Sequence, residues 1–231
     1  MYRHATRSVA LAFCALFLFI AHVSAASSQA VYLSPPTVFS ILHEGDKIGR
    51  HTVSYRRDGD VLHVDIAIDI EMRVLFIPIF KYRHRNSEVW RGGRLISMKT
   101  ETDDNGTEYW VMARATDTGL VVETDDTSFI APADIMPTSY WSKNIVDTSV
   151  LLDTQHGRLV EVSISPENLQ HVATAKGTVE AKRFNILGDL SLSLWYTPAG
   201  RWVKTSFSVR GAEIEYQLQD KALRTSERPG H

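Results

Sequence analysis

Cysteine is almost missing from this chain. Of its 231 residues one, Cys14, is a cysteine. It sits inside the apolar run Val9–Ala21, and Phe13 directly before it is too bulky for lipid-anchored processing of that cysteine. If the run is removed, disulfides, thiolate catalysis and Cys-ligated metal go with it. An excess of charge of either sign is missing too. The first 25 residues hold two of the 25 basic residues and no acid, so the rest carries 23 basic against 27 acidic groups, a balance of −4. That gives no reason to expect nucleic acid or an anionic surface as a partner of the whole molecule. No apolar run after residue 21 approaches the roughly 20 residues a bilayer-spanning helix needs. Catalytic signatures are also lacking: there is no Gly-x-Ser-x-Gly elbow, no His-Glu-x-x-His and no phosphate loop. The histidines after residue 25, at 43, 51, 63, 84, 156, 171 and 231, lie too far apart in sequence to suggest a metal site. The expectation is no cofactor and no metal.

What is present begins with an export signal. Arg3 and Arg7 precede the apolar run, and Val23-Ser24-Ala25 places small residues at −3 and −1 before Ala26. This predicts a cleaved secretory signal peptide over 1–25, with cleavage between Ala25 and Ala26. An extended leader over 26–37, a single β domain over 38–219 and a flexible tail over 220–231 are expected to follow. Without thiols, an exported location in a bacterial envelope, the periplasm, suits the chain best, with no transmembrane segment after cleavage.

From Val38 onward strands and tight turns alternate. The segment Val61–Val74 is the clearest: Val64, Ile66, Ile68, Ile70, Met72 and Val74 fall on one side and His63, Asp65, Asp69, Glu71 and Arg73 on the other. Only a period of two does this, so it is a strand with one buried face. Asp58-Gly59, Gly92-Gly93 and Asn105-Gly106 read as two-residue hairpin loops. The fold class is therefore all-β: an antiparallel curved sheet or half-open β-barrel. One stretch, Pro132–Asp147, lacks alternation and reads as a short helical or irregular insertion, of the kind that serves as a lid or plug.

Two-residue loops fix registers, and registers fix faces. On that basis Val53 opposes Val64 and His51 opposes Ile66. Trp90 likewise opposes Leu95, Glu88 opposes Ser97, His84 opposes Glu101, and Glu101 opposes Trp110. One face then collects Tyr82, His84, Glu88, Trp90, Glu101, Trp110 and Arg114, with Lys99 beside them. Tyr140 and Trp141 of the insertion are expected to close over it. A face holding two tryptophans among charges can line a partly polar cavity, and these nine residues are the candidate ligand-binding set.

The motifs Gly45-Asp46-Lys47-Ile48-Gly49-Arg50-His51, Tyr82–Leu95 (YRHRNSEVWRGGRL), Ser139-Tyr140-Trp141 and Leu194-Trp195-Tyr196 followed by Gly200-Arg201-Trp202-Val203-Lys204 give the chain a likeness. It resembles a family of exported proteobacterial proteins whose domain has no assigned function. The resemblance implies a signal-bearing, mostly β domain and carries over no catalytic residue. The leading expectation is a binding or carrier module for an apolar or amphipathic small molecule. An envelope assembly or protein-interaction factor is the alternative, and a hydrolase-like enzyme using His84 and Glu101 a third.

Overall fold

A computed structural model describes residues 31–33, 35–209 and 211–219. The expected signal peptide with its Ala25–Ala26 cleavage site and the expected tail over 220–231 lie outside the described residues, as does half of the expected leader. Sixteen strands and one 3-10 helix, Lys143–Asp147, make up the regular structure of the described residues. The strands are β1 (Val31–Tyr32), β2 (Thr37–His43), β3 (Asp46–Asp58), β4 (Val61–Val74), β5 (Ile77–Arg91), β6 (Arg94–Asp104), β7 (Thr107–Thr116) and β8 (Gly119–Glu123). They continue as β9 (Ser128–Ala131), β10 (Met136–Pro137), β11 (Val150–Leu152), β12 (Leu159–Thr174), β13 (Gly177–Gly188), β14 (Leu192–Tyr196), β15 (Trp202–Val209) and β16 (Ala212–Leu218).

The fold is all-β. Strands β12 to β16 pair in sequence, β16 pairs with β2, and β2 to β9 again pair in sequence, all antiparallel. At one end β11 pairs with β12, and β10 lies parallel to β11. The two ends of this sheet, β9 and β10, are joined by only four residues, Pro132–Ile135. A chain that short spans at most about 18 Å between the flanking strands, so the sheet must curl until its edges approach. The result is a half-open barrel whose edges are linked through the chain rather than by a hydrogen-bonded ladder. The leader's Val31–Tyr32 pairs with Arg57 and Arg56 of β3, so part of the expected extended leader is a strand.

The alternation of β4 holds, with a qualification. Val64 and Ile66 are buried, Asp65 and Asp69 exposed, while Ile68, Ile70 and Met72 are only half-buried. The reason is that they face an open cavity, not packed core. The β3–β4 loop is Gly59-Asp60, not Asp58-Gly59: Asp58 opposes Val61, Val53 opposes Ile66 and His51 opposes Ile68. A slip of two residues preserves the faces, so His51 still points inward as expected.

The hairpin turns fall at two ends of the barrel. One end carries the β2–β3, β4–β5, β6–β7 and β15–β16 turns. The other carries the β3–β4, β5–β6 and β14–β15 turns. Between them, Phe39, Ile41, Tyr196, Leu194 and Leu218 belong to the core, each essentially inaccessible.

Candidate functional site

Strand β5 is polar on both faces, and its inner face supplies the site. Tyr82, His84, Asn86, Glu88 and Trp90 alternate inward; Lys81, Arg83, Arg85 and Ser87 alternate outward. No hydropathy pattern marks such a strand, because neither side is apolar. Its inner ladder is nonetheless enclosed: His84, Asn86 and Glu88 are all nearly inaccessible.

Buried polar groups need partners, and most of these have them. Glu88 is the hub. Its Oε2 accepts from Trp90 Nε1 and Trp141 Nε1, both at 2.8 Å, and its Oε1 accepts from Asn86 Nδ2 at 2.8 Å. The Ser139 side chain is a fourth partner. Burial pushes the Glu88 carboxyl above its ordinary pKa, and the four hydrogen bonds pull it back without cancelling the rise. Trp141 lies edge-on to Trp90, with centroids 5.4 Å apart, and to Tyr55 at 5.9 Å. Tyr140, at φ 61°, is anchored by the Tyr196 hydroxyl, which donates to its carbonyl at 2.7 Å. The insertion is thus pinned inside the barrel from two sides, by β5 and by β14.

Next to this cluster lies a cavity of about 1130 Å³, floored by Thr138, Ser139 and Tyr140 of the insertion. Its apolar wall comes from β4 and from the opposite side: Ile66, Ile68, Ile70 and Met72 face Leu190, Leu192, Phe207 and Ile214. Its polar wall holds Tyr82, His84, Asn86, Ser139 and the segment Asp153–His156. The exposed lining residues, Ile79, Asn105, His156, Arg158, Ser191 and Val209, all sit at the β4–β5 end, so the cavity opens there. At the mouth Asp153 accepts from His156 Nδ1 (3.0 Å), Arg158 Nε (3.3 Å) and the Gln155 backbone N–H. Burial raises the Asp153 pKa, but these contacts outweigh it and hold the carboxyl below the ordinary range. Tyr82 donates to Gln155 Oε1 at 3.1 Å, and Gln155 Nε2 donates to Asp104 at 3.2 Å.

Two histidines flank Ile68 in one cross-strand row: His51 opposes Ile68, and Ile68 opposes His84. Burial pushes His51 down to about 3, with a small push from His84. His84 is lowered to about 4, first by burial, with Asp153 pulling it up and Arg85 pushing it down. Both are neutral at pH 7. His84 Nδ1 is 2.7 Å from Thr102 Oγ1. Neither ring nitrogen of His51 has a hydrogen-bond partner among the described residues, although the ring is packed edge-on to Trp202 at 5.1 Å.

The nine candidate residues do not share one surface. Tyr82, His84 and Tyr140 line the cavity, and Glu88, Trp90 and Trp141 form the hydrogen-bonded cluster behind its lining. Glu101, Trp110 and Arg114 are on the outer face. Glu101 is exposed and paired to Lys99 at 2.8 Å, Trp110 donates to Asp125, and Arg114 faces solvent. A β-bulge is responsible. Trp90 opposes Leu95 as expected, but Val89 opposes Ser97, leaving Ile96 as an extra residue. From there His84 opposes Thr102 and Glu88 opposes Met98, so every β6 residue past Ile96 is turned to the other face. Thr102 and Tyr109 stand inside where Glu101 and Trp110 were expected. An acid–base pair of His84 with Glu101 is thereby ruled out, since a sheet separates them. Of the two roles expected of it, the insertion takes that of a plug: it lies beneath the cavity and not as a lid over its mouth. Sequence reasoning missed Asn86, Thr102, Gln155 and Phe207. Asn86 was legible in principle, two residues from both His84 and Glu88 on the same strand.

Among the described residues no three His, Cys, Asp or Glu side chains cluster as a metal site, and no helix is long and apolar enough to cross a membrane. With the geometry in hand, comparison with known proteins places the chain. A family model described as a domain of unknown function (DUF6134) matches residues 39–219. The chain belongs to this DUF6134 family. Its fold is similar to that of a crystal structure described as a beta-barrel-like protein of domain of unknown function DUF1849 from Brucella abortus. The TM-score is 0.55 at 11% identity, over 79% of this chain and 94% of that one. At that identity the likeness concerns the fold of DUF6134 alone. No functionally curated protein matches.

Proposed function

We propose that this DUF6134 protein is an exported, periplasmic binding or carrier module for an apolar or amphipathic small molecule held in the barrel cavity. One observation carries the reading: a cavity of about 1130 Å³ with an isoleucine-rich wall facing a wall of hydrogen-bonding groups. Ligand pockets of about 300–1,000 Å³ bury most of a drug-sized molecule, so this one has room for a chain of a dozen or more carbons with a polar head. The apolar part lies along Ile66, Ile68, Ile70 and Leu192. The head meets Tyr82, His84 and Asn86, whose carbonyl oxygen is buried without a partner among the described residues. Neutral His84 and an uncharged amide suit a hydroxyl, amide or ester head better than a free anion.

Native mass spectrometry of protein purified from the bacterial envelope tests this. A bound small molecule is expected, released on unfolding. Phe207→Ala is expected to keep or enlarge occupancy, and Ile68→Trp, which fills the cavity, to abolish it with the fold intact. Unliganded protein that also fails to take up long-chain alcohols or monoacylglycerols would end the reading. N-terminal sequencing of the same preparation checks export, with Ala26 expected as the first residue.

A further inference from the structure

The β4–β5 hairpin continues past the barrel. The last row held on both sides is Gly49–Ile70–Tyr82–Asp104. Beyond it Lys81, opposite Glu71, still accepts from the Asn105 backbone N–H at 2.8 Å, and Met72–Phe80, Arg73–Pro78 and Val74–Ile77 pair only with each other. At about 3.3 Å per residue this two-stranded arm reaches some 15 Å beyond the rim. Its outer end is Val74-Leu75-Phe76-Ile77-Pro78-Ile79, without a polar side chain. Phe76 is 91% exposed and Leu75 85%, the two largest exposures among the exposed large apolar side chains.

The turn itself is costly. Leu75 and Phe76 have φ of 46° and 71°. Those are the left-handed positions that Asn and Gly fill in two-residue hairpin loops, as Asn105-Gly106 does in the neighbouring hairpin. Bulky residues there destabilise the fold and pack against nothing, so their apolar character has a cause outside folding.

We propose that this arm docks the protein on a lipid bilayer by inserting its tip. A protein partner covering one face of the ribbon would leave the other wet; here both faces and the turn are apolar, so the occupant must surround the tip. The apolar end is about 10 Å long, the depth to which interfacial segments enter a bilayer. Behind it Arg73 and Lys81, both ion-paired to Glu71 but with their side chains 59% and 61% exposed, stand where lipid phosphates would be. The arm is also continuous with the cavity: Met72, Ile79 and Phe80 line its mouth and lead to Ile70 and Ile68. Insertion thus puts the cavity mouth at the membrane surface. The docking stands independently of the cavity reading, and adds to it the bilayer as the place where an amphipathic molecule is exchanged.

The test is Phe76→Trp in the full protein, mixed with vesicles of phosphatidylethanolamine and phosphatidylglycerol carrying doxyl-labelled acyl chains. The readout is the emission of the introduced indole, taken as the difference from the unsubstituted protein. It is specific to the tip, which matters because the run Val9–Ala21 can itself bind lipid. That emission is expected to shift to the blue and to be quenched most by shallow labels. Leu75→Asn/Phe76→Gly is expected to lower vesicle partitioning about tenfold while its unfolding midpoint stays equal or rises. Absence of quenching overturns the proposal. So does a blue shift that depends on protein concentration without lipid, which would assign the tip to a second copy of this chain. Cavity occupancy in the double variant is read separately by native mass spectrometry, so loss of docking and loss of ligand binding are distinguishable.

Discussion

Glu88 shows how one residue can be both costly and indispensable. Its carboxyl is buried without a cation among the described residues, and its hydrogen bonds come from groups on β5 and on the insertion. Glu88→Gln replaces one acceptor oxygen by a donor facing Asn86 or the tryptophans. It is expected to cost about 1–3 kcal/mol, measured by urea unfolding; no loss would mean the insertion is held some other way. The two neutral histidines give a second residue-scale expectation. Their folded pKa values are depressed below 6.5, so the stability they contribute is present above pH 6.5 and is lost as pH falls toward about 4 for His84 and about 3 for His51. Each is expected to add a slope approaching about 1.4 kcal/mol per pH unit. Glu88 acts in the opposite sense, since its raised pKa favours the fold at low pH and that contribution is lost as pH rises past 4.5. His51→Phe, which suits the ring of Phe39, Trp202 and Tyr216 around it, should flatten the acid limb between pH 6.5 and 4. Identical pH slopes in wild type and variant would show that His51 titrates normally.

At the scale of the element, the bulge at Ile96 decides more than any side chain near it. Deleting Ile96 restores an unbulged β5–β6 register, which turns Met98, Thr100 and Thr102 outward and Lys99 and Glu101 into the core. Loss of the cooperative unfolding transition is expected, whereas Ile96→Ala should cost no more than about 1 kcal/mol. A deletion variant that unfolds like wild type would put Glu101 back beside His84. Strand β4 has a subtler divide. Ile41, on β2, is inaccessible, and Ile41→Ala is expected to cost about 2–5 kcal/mol. Ile68 already borders open space, so Ile68→Ala enlarges an existing void and should cost about half as much. Equal losses in denaturant titrations would mean that the cavity wall packs like core.

For the whole molecule, the ring of strands is drawn together by a connection of only four residues and held from inside by the 138–158 segment. Stability and the cavity therefore depend on the same plug. Trp141→Ala removes a hydrogen bond to Glu88 and two edge-on ring contacts. It is expected to lower stability by about 3 kcal/mol or more and to open the cavity floor, read as faster hydrogen exchange at β5 amides. Unchanged exchange would detach the insertion from the barrel's integrity.

Much of the fold was legible from sequence because antiparallel hairpins are local. The period-two alternation of β4 and the turn pairs Gly92-Gly93 and Asn105-Gly106 carry strand identity and loop position within a dozen residues. The same signals placed His51 inward even though its loop was misplaced, because a slip of two keeps the face. The site was only half legible. A bulge leaves no mark in composition, and one extra residue exchanges inside for outside along a whole strand, separating Glu101, Trp110 and Arg114 from Tyr82, His84 and Glu88. Strand β5, polar on both sides, gave no sign of which face was enclosed. That was decided by the curvature of the sheet, the short link between its edges and the aromatic segment pinned to Glu88, all of them long-range consequences of closing the barrel. Sequence by itself determined the strands and most of their faces, since those rest on neighbours along the chain. Only the tertiary structure decided what the inward face encloses, since that depends on residues dozens to more than a hundred positions apart meeting across a cavity.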